Sequence, residues 1–290
     1  MFIIFHVKFT YQGETITRIA FAHHKGGTGK TSSCLNIAGY LQKSGERVLV
    51  VDCDPQANAT SGLGVSPTGL ETSIYDLFMS RFEGFPEVSI RDLVVRTASG
   101  IDLVPSTLDL VGAEPYLYQS EGRATVLRDA LDEISPEYDV VLIDTPPSMG
   151  QFVINGLVAA DHTIVNLDQG IFALEGIETM NAIFQDIREN VGGDVRAEIA
   201  IMSQESPVQG QRAGLIDAIL GLLSQREKRI EPEAIDERLS ASFMMVETVP
   251  FSAEVPAAQR KGLPISHYAP DCPAGQAYRK IASTVGHWKK

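Results

Sequence analysis

The chain has 290 residues, of which 44% are hydrophobic, and its formal net charge is -13 at pH 7. This size allows one sizeable core, and neither a long apolar run nor a basic and apolar N-terminal segment indicates a membrane span or export. The three cysteines, Cys34, Cys53 and Cys272, are too few and too scattered for a disulfide framework or a metal cage, so the composition predicts a cytoplasmic protein.

Apolar runs of strand length alternate with amphipathic segments along the whole chain, and several runs are apolar at consecutive positions, as in strands buried on both faces. The predicted strands are residues 19–22, 48–51, 101–104, 140–143, 163–165, 199–202 and 244–246. The predicted helices are residues 31–43, 124–134, 176–189, 212–223 and 274–285. This pattern predicts an α/β fold: a single doubly wound, mostly parallel sheet of seven or eight strands with helices on both faces.

Two stretches depart from the alternation. Residues 1–16 form an N-terminal extension in which positions 2–9 predict an extra strand at the sheet edge, followed by a turn at Gln12 and Gly13. Residues 17–290 then form one domain. Residues 64–95 are rich in glycine, proline and polar side chains and contain one short helical patch, 74–79. We expect this segment to be a surface excursion near the active side.

A glycine-rich loop follows the first predicted strand and opens the first predicted helix. It reads Gly26, Gly27, Thr28, Gly29, Lys30, Thr31 and Ser32. Glycines let backbone N–H groups approach phosphate oxygens, and the helix N-terminus and Lys30 add positive charge. The Thr31 hydroxyl is suited to Mg²⁺. The alternative is a glycine-rich turn that merely starts a helix, and the setting between a predicted strand and a predicted helix favours the phosphate-binding interpretation over it. The loop predicts a nucleotide-binding P-loop NTPase fold.

Lys25 lies five positions before Lys30, at the entry to the same loop. From there its side chain can reach across a dimer interface to a nucleotide that another subunit holds, and supply in trans the charge of an arginine finger. The alternative is an exposed lysine without a function.

Three aspartates end apolar strands. Asp144 follows one run, and Asp52 and Asp54 follow another, two residues apart. Carboxylates at the carboxyl ends of parallel strands emerge beside the loop, where Asp144 can hold Mg²⁺ through water. The alternative is that these are solvated carboxylates at strand ends.

Several segments together resemble the ParA/MinD family of P-loop ATPases with a deviant Walker A motif, and its ParA/Soj branch most closely. Residues 25–31 resemble that motif, residues 51–63 the first switch, and residues 141–148 the Walker B strand and second switch. Residues 172–176, 262–265 and 268–270 match later segments, so the likeness covers about residues 17–285.

The resemblance implies ATP and Mg²⁺ as ligands and assigns roles to residues. Asp54 orients or activates the attacking water, Asp52 helps to secure the metal shell, and Pro250 and Phe251 join the loop as ATP-binding residues. The implied catalytic set is Lys25, Lys30 and Asp54, and the implied metal set is Thr31, Asp52 and Asp144. It also implies a homodimer in the ATP state, slow hydrolysis that a ParB-like partner stimulates, non-specific DNA binding at the nucleoid, and segregation of plasmid or chromosomal DNA.

The charge pattern supports DNA binding only in the last third of the chain. Residues 1–200 hold 13 basic and 27 acidic side chains, whereas residues 201–290 hold 11 and 10. Relatives often carry arginine and a second basic residue within the segment that corresponds to residues 249–254, and both are missing here. The predicted substitutes are Arg226, Lys228, Arg229, Arg260 and Lys261. Another departure is the segment 202–205, where relatives often place asparagine or aspartate near adenine.

Three alternatives change the target of the ATPase. A MinD-like membrane ATPase needs a C-terminal amphipathic helix, and residues 281–290 hold one large aromatic and a glycine, so no membrane insertion is expected. An iron-sulfur reductase needs paired cysteines at a dimer axis, whereas Cys34 and Cys53 are expected inside elements beside the nucleotide and Cys272 is alone, so this alternative is not favoured. A cargo-positioning ATPase that moves a protein assembly is not separated from a DNA-segregating one by sequence.

Overall fold

The computed structural model of the chain describes residues 16–23, 27–148, 150–167, 172–192, 194–204 and 232–288. The predicted edge strand at residues 2–9 and the predicted helix 212–223 lie outside these ranges, so both stay predictions.

One sheet of eight strands organises the described part of the chain, in the order β3-β4-β2-β5-β1-β6-β7-β8. The strands are β1 Thr17–Ala22, β2 Val48–Asp52, β3 Val95–Arg96, β4 Asp102–Val104, β5 Val140–Asp144, β6 His162–Leu167, β7 Ala197–Ser203 and β8 Met245–Val249. Strand β3 pairs antiparallel with β4, and every other neighbouring pair is parallel. The seven predicted strands are confirmed. The eighth, β3, was missed because two residues are too short to show a pattern.

Helices cover both faces of the sheet. They are α1 Lys30–Lys43, α2 Asn58–Gly62, α3 Ile74–Met79, α4 Glu114–Tyr118, α5 Val126–Ile134, α6 Gln151–Ala159, α7 Phe172–Asn190, α8 Pro232–Ser242, α9 Glu254–Gln259, α10 Ile265–Tyr268 and α11 Pro273–Gly286. Short 3-10 helices add Ile90–Leu93, Leu108–Ala113 and Ser135–Glu137. Within the described ranges, no helix combines the length and apolarity that crossing a membrane requires.

Consecutive strand residues divide between two cores. In β2, Leu49 and Val51 pack into the core beneath α5, α6 and α7, whereas Val48 and Val50 pack into the core beneath α1 and α11. Side chains of a strand alternate between the faces of a sheet, so a sheet covered on both sides needs apolar residues at every position. This double burial is why the strands were readable as uninterrupted apolar runs.

The segment 64–95 is less peripheral than the sequence suggested. Ser73 caps α3 in a capping box with Asp76, which fixes where that helix begins. Helix α3 then buries its apolar face, and the ring of Phe78 lies 5.2 Å from that of Phe152 in α6. The expectation of a surface excursion is therefore wrong for α3, because its apolar side chains complete the core.

The topology brings several strand ends together at one edge. Strands β4, β2, β5 and β1 are adjacent and parallel, so their carboxyl ends share an edge. In register, Asp52 is paired with Asp144, and Asp144 with Phe21, one residue before the end of β1. Loops that leave this edge therefore start within a few ångströms of one another.

Candidate active site

The glycine-rich loop turns from β1 into α1 through two left-handed residues. Gly27 has φ 90° and Gly29 has φ 83°, a region that favours glycine because a Cβ would be strained there. Gly29 is also the N-cap of α1, and no side chain caps that end. The first-turn N–H groups of α1 therefore point at the loop, as an anion site requires. Lys25 and Gly26 lie outside the described residues.

Lys30 and Thr31 both reach the end of β5. The Lys30 ammonium lies 3.5 Å from Asp144 Oδ1 and donates a hydrogen bond to the Thr145 carbonyl oxygen. Thr31 Oγ1 donates to Asp144 Oδ2 over 2.7 Å. The loop and the strand end predicted from sequence are thus in direct contact. A cation, a hydroxyl and a carboxylate converge at the place where phosphate and Mg²⁺ are expected.

Asp52 and Asp144 form a pair of buried carboxyl groups on neighbouring strands. Burial, reinforced by the charge of Asp144, raises the pKa of Asp52 to about 7, while hydrogen bonds from Thr60 and from the Asp54 N–H oppose the rise. Burial also raises the pKa of Asp144, against the opposing influence of Lys30 and Thr31. Two adjacent buried carboxylates favour a cation between or beside them, because it offsets both desolvation and mutual repulsion.

Asp52 is held by three donors. Thr60 donates from its N–H over 2.8 Å and from its hydroxyl over 2.7 Å to Asp52 Oδ2, and the N–H of Asp54 donates to Oδ1 over 3.1 Å. The Thr60 hydroxyl also accepts from the N–H of Ser106, which follows β4. Asp52 therefore ties together the loops after β2 and β4. The Thr60 contact was not visible from sequence, because it joins α2 to the preceding strand through side-chain geometry.

Asp54 lies where the chain turns away from β2. Its carboxylate accepts from the N–H of Gln56 over 2.9 Å, and the residue is 4% exposed. Ala57 follows with φ 52°, and it is the one non-glycine residue with a left-handed φ in the described ranges. Such a backbone costs roughly 1 kcal/mol. The turn places Asp54 among the residues that line a cavity shared with the glycine-rich loop.

A cavity of about 830 Å³ lies between the glycine-rich loop and three other segments of the same edge, which follow β2, β5 and β8. Its lining residues are Gly27, Thr28, Gly29, Lys30, Thr31, Ser32, Asp54, Gln56, Asn58, Ser61, Gly62, Pro147, Pro256, Gln259 and Arg260. Every described loop residue that the sequence predicted is present. The size is that of a pocket for a small organic molecule such as a nucleotide.

The ATP-binding role of two further residues stays a prediction. Pro250 and Phe251 directly follow β8 and are not among the lining residues, and Phe251 is 44% exposed. The lining residues from this part of the chain belong to α9 and the turn after it: Pro256, Gln259 and Arg260. They were missed because only the parallel pairing of β8 with β7 carries this segment to the site edge. Their position after a predicted strand was the available signal.

The predicted metal residues meet without forming a preformed cage. Thr31 and Asp144 are in contact, and Asp52 is the neighbour of Asp144 in the sheet. Among the described residues, no group of three or more His, Cys, Asp or Glu side chains is arranged to hold a metal ion. Mg²⁺ generally takes one or two carboxylates, several waters and substrate phosphates, so this donor set fits a cation that arrives with a nucleotide.

The predicted DNA-binding residues do not assemble into one described surface. Arg226, Lys228 and Arg229 lie outside the described residues. The Lys261 ammonium lies 5.0 Å from the ring centre of Tyr268, and Arg260 faces the cavity. The DNA role of all five therefore stays a prediction.

Comparisons with known proteins identify relatives of the chain. The family model described as an AAA domain matches residues 16–199. The chromosome partitioning protein ParA of Caulobacter vibrioides (strain NA1000 / CB15N) is 34% identical over 271 residues, which cover 92% of each chain. The chromosome-partitioning ATPase Soj of Thermus thermophilus is 33% identical over 276 residues, covering 93% of this chain and 95% of Soj.

Solved structures share the fold. The cobyrinic acid a,c-diamide synthase of Mycobacterium smegmatis with bound ATP analogue and magnesium has a TM-score of 0.70 at 28% identity, covering 95% of this chain and 96% of that one. The septum site-determining protein MinD of Pyrococcus horikoshii, complexed with Mg-ADP, has a TM-score of 0.68 at 20% identity, covering 93% and 96%. The second likeness bears on the fold alone.

Proposed function

Because the chain belongs to the ParA and Soj family of P-loop ATPases, we propose that it dimerises on Mg-ATP, binds DNA non-specifically and hydrolyses ATP slowly. A ParB-like partner protein controls the hydrolysis, and the cycle segregates plasmid or chromosomal DNA at the nucleoid. The observation that carries this proposal is the contact of Lys30 and Thr31 with Asp144 at the mouth of a nucleotide-sized cavity.

The donor set fits Mg-ATP. Uncapped N–H groups of α1 and the Lys30 ammonium suit the phosphate chain, and Thr31 and Asp144, with Asp52 behind them, suit the cation. Bound Mg²⁺ would neutralise charge on the phosphate oxygens. A relative of known structure carries an ATP analogue and magnesium.

Hydrolysis needs a water molecule that is oriented toward the terminal phosphate, and Asp54 is the residue that orients it. Its carboxylate is nearly buried and lines the cavity, so it can accept a hydrogen bond from a water that faces the terminal phosphate. Part of the stabilisation of the negative charge on the transferred phosphate comes from Lys25 of a second copy of the chain. A monomer therefore hydrolyses ATP slowly. Slow hydrolysis makes the protein a switch between an ATP-bound dimer and a monomer. Its role is to time that change of assembly and not to turn over a metabolite.

An apolar surface at the site edge supports dimerisation. It comprises Leu108, Val111, Tyr116 and Tyr118, which are 67%, 54%, 46% and 55% exposed, and we call it the 108–118 face. Several large apolar side chains exposed within one short segment are typical of interaction sites.

The 108–118 face is attached to the site from two sides. The loop that precedes it donates the Ser106 N–H to Thr60, the partner of Asp52. Glu114 accepts from the N–H of Gln151, shortly after the loop that contains Pro147 of the cavity. A second copy of the chain that docks on the phosphate edge would therefore cover this face as well.

A nucleotide series tests the proposal in one experiment. Dimerisation is followed by light scattering and DNA retention by filter binding of a long duplex, each with ATP, with ADP and without nucleotide. We expect dimers and retained DNA with Mg-ATP, and neither with ADP. Equal DNA retention in all three states would contradict the DNA-segregation function. Dimers without DNA retention would instead favour the alternative, an ATPase that acts on a membrane or positions a protein assembly.

A further inference from the structure

We propose that Arg260 contacts the nucleotide that its own chain binds, at the phosphate nearest the nucleoside. The inference rests on the proposed function and adds a binding residue to it. The charge pattern of the sequence predicted that Arg260 contacts DNA, whereas the structure places it on the cavity wall that α9 forms, together with Gln259 and Pro256.

The turn that carries Arg260 is anchored on both sides. Gln259 Nε2 donates to Ser32 Oγ over 2.9 Å, which ties the end of α9 to the first turn of α1. Gly262 lies against Gly64, so close that a Cβ built on Gly262 would lie 2.8 Å from Gly64 N. The residue before Arg260 and the residue two positions after it are thus held, which leaves the Arg260 side chain on a fixed support beside the phosphate loop.

The charge of Arg260 is not neutralised by a partner within the described part of the chain. Its guanidinium makes no ion pair or hydrogen bond with described residues, whereas its neighbour Lys261 lies over Tyr268. Of the described lining residues, Lys30 and Arg260 alone are cationic, and Lys30 already contacts Asp144 and Thr145. A triphosphate brings more negative charge than one engaged lysine offsets. A guanidinium suits a phosphate because its parallel N–H groups match two phosphate oxygens.

The position along the phosphate chain follows from its neighbours. Asp54 marks the end of the cavity where water meets the terminal phosphate. Lys30 and Thr31 serve the outer phosphates and the cation. Gln259 contacts Ser32, the next residue along α1. Arg260 is adjacent to Gln259, so it serves the inner end of the chain, which ATP and ADP have in common.

Titration of ATP and ADP binding tests this contact in Arg260→Ala, with Lys261→Ala as the matched control. Both changes remove one exposed cation from adjacent positions. We expect Arg260→Ala to raise the Kd of both nucleotides about tenfold, Arg260→Lys to recover part of the loss, and Lys261→Ala to change neither. At saturating ATP, Arg260→Ala should retain DNA as the wild type does.

Three outcomes would overturn the inference. Unchanged Kd values in Arg260→Ala would remove the contact, and a loss for ATP alone would move it to the terminal phosphate. Lost DNA retention with unchanged nucleotide affinity would return Arg260 to the DNA role. Failure of the wild type to bind either nucleotide is separate from these, because it would overturn the proposed function and the inference together.

Discussion

Gly64 and Gly262 meet backbone to backbone, and both have left-handed φ angles, 82° and 68°. The first follows α2 and the second follows α9, so their contact joins the loop of Asp54 to the loop of Gln259. We expect Gly262→Ala to lower the free energy of unfolding by about 2 kcal/mol or more, since the strained φ alone costs about 1 kcal/mol and a Cβ would collide with backbone. Urea denaturation measures the change.

Gly45→Ala is the matched control for that substitution. Gly45 has φ 99°, but a Cβ there would meet nothing within 4 Å. It should therefore show the cost of the backbone conformation alone, about 1 kcal/mol. Equal losses in the two variants would mean that the loop contact does not constrain the fold.

Lys30→Ala should abolish retention of Mg-ATP and also destabilise the chain. The Lys30 side chain is 8% exposed and that of Asp144 is fully buried, so the variant leaves a buried carboxylate without its cation. Breaking a buried pair costs about 3 kcal/mol, less whatever protonation of Asp144 recovers. Equilibrium dialysis and thermal unfolding measure the two effects.

Lys43→Ala provides the comparison from the other end of α1. It removes the same charge, yet Lys43 contacts the Ser266 carbonyl oxygen, away from the cavity. It should retain Mg-ATP with wild-type affinity. Retention that survives in Lys30→Ala would refute the phosphate-loop assignment.

Asp54→Asn should slow ATP hydrolysis about 100-fold or more while ATP binding is retained. The amide oxygen can still accept from the Gln56 N–H, so the turn is kept, but a neutral amide cannot take a proton from water. Phosphate release under single-turnover conditions measures the rate, and dialysis measures the affinity. Wild-type turnover would remove Asp54 from the catalytic set.

Val111→Glu should prevent dimerisation on Mg-ATP. The substitution puts a charge in the middle of the 108–118 face, where a second copy would have to desolvate it. Met244→Glu is the control, because Met244 is 63% exposed but lies just before β8, at the opposite end of the sheet. Light scattering should find dimers in the control alone. Dimers in both variants would place the interface elsewhere.

Thr60→Val should destabilise the chain by about 1–3 kcal/mol. It removes the hydroxyl that donates to Asp52 and leaves the buried N–H of Ser106 without its acceptor. Thr60→Ser keeps the hydroxyl and should recover most of the loss. Urea denaturation measures both variants, and a loss in Thr60→Ser as large as that in Thr60→Val would mean that the hydroxyl bonds do not account for the effect.

The fold was predictable where burial imposes a pattern. Strands such as β2 and β5 are covered on both faces, and this double burial required the apolar runs that identified them. By contrast, α2 has five residues, too few to show a helical period, and β3 has two. Their existence depends on neighbours, which the local sequence does not encode.

The site was predictable where it is built from strand ends, and not where distant segments complete it. Strand ends at one edge imply that Asp52 and Asp144 are neighbours, and the structure pairs them in register. Nothing in the spacing of residues 256–260 shows that they line the same cavity. That placement arises from the order of β7 and β8 in the sheet and from contacts between distant parts of the chain, Gln259 with Ser32 and Gly262 with Gly64.

The strands that support the site are shielded from solvent. Strands β1, β2 and β5 have bonded neighbours on both sides, and their apolar residues have essentially no solvent exposure. Amide protons in such strands exchange with solvent only when the whole domain opens, whereas loops exchange through small local fluctuations. Each turnover must therefore be accommodated by the loops of Asp54 and Arg260, while the strands beneath them remain unchanged from one cycle to the next.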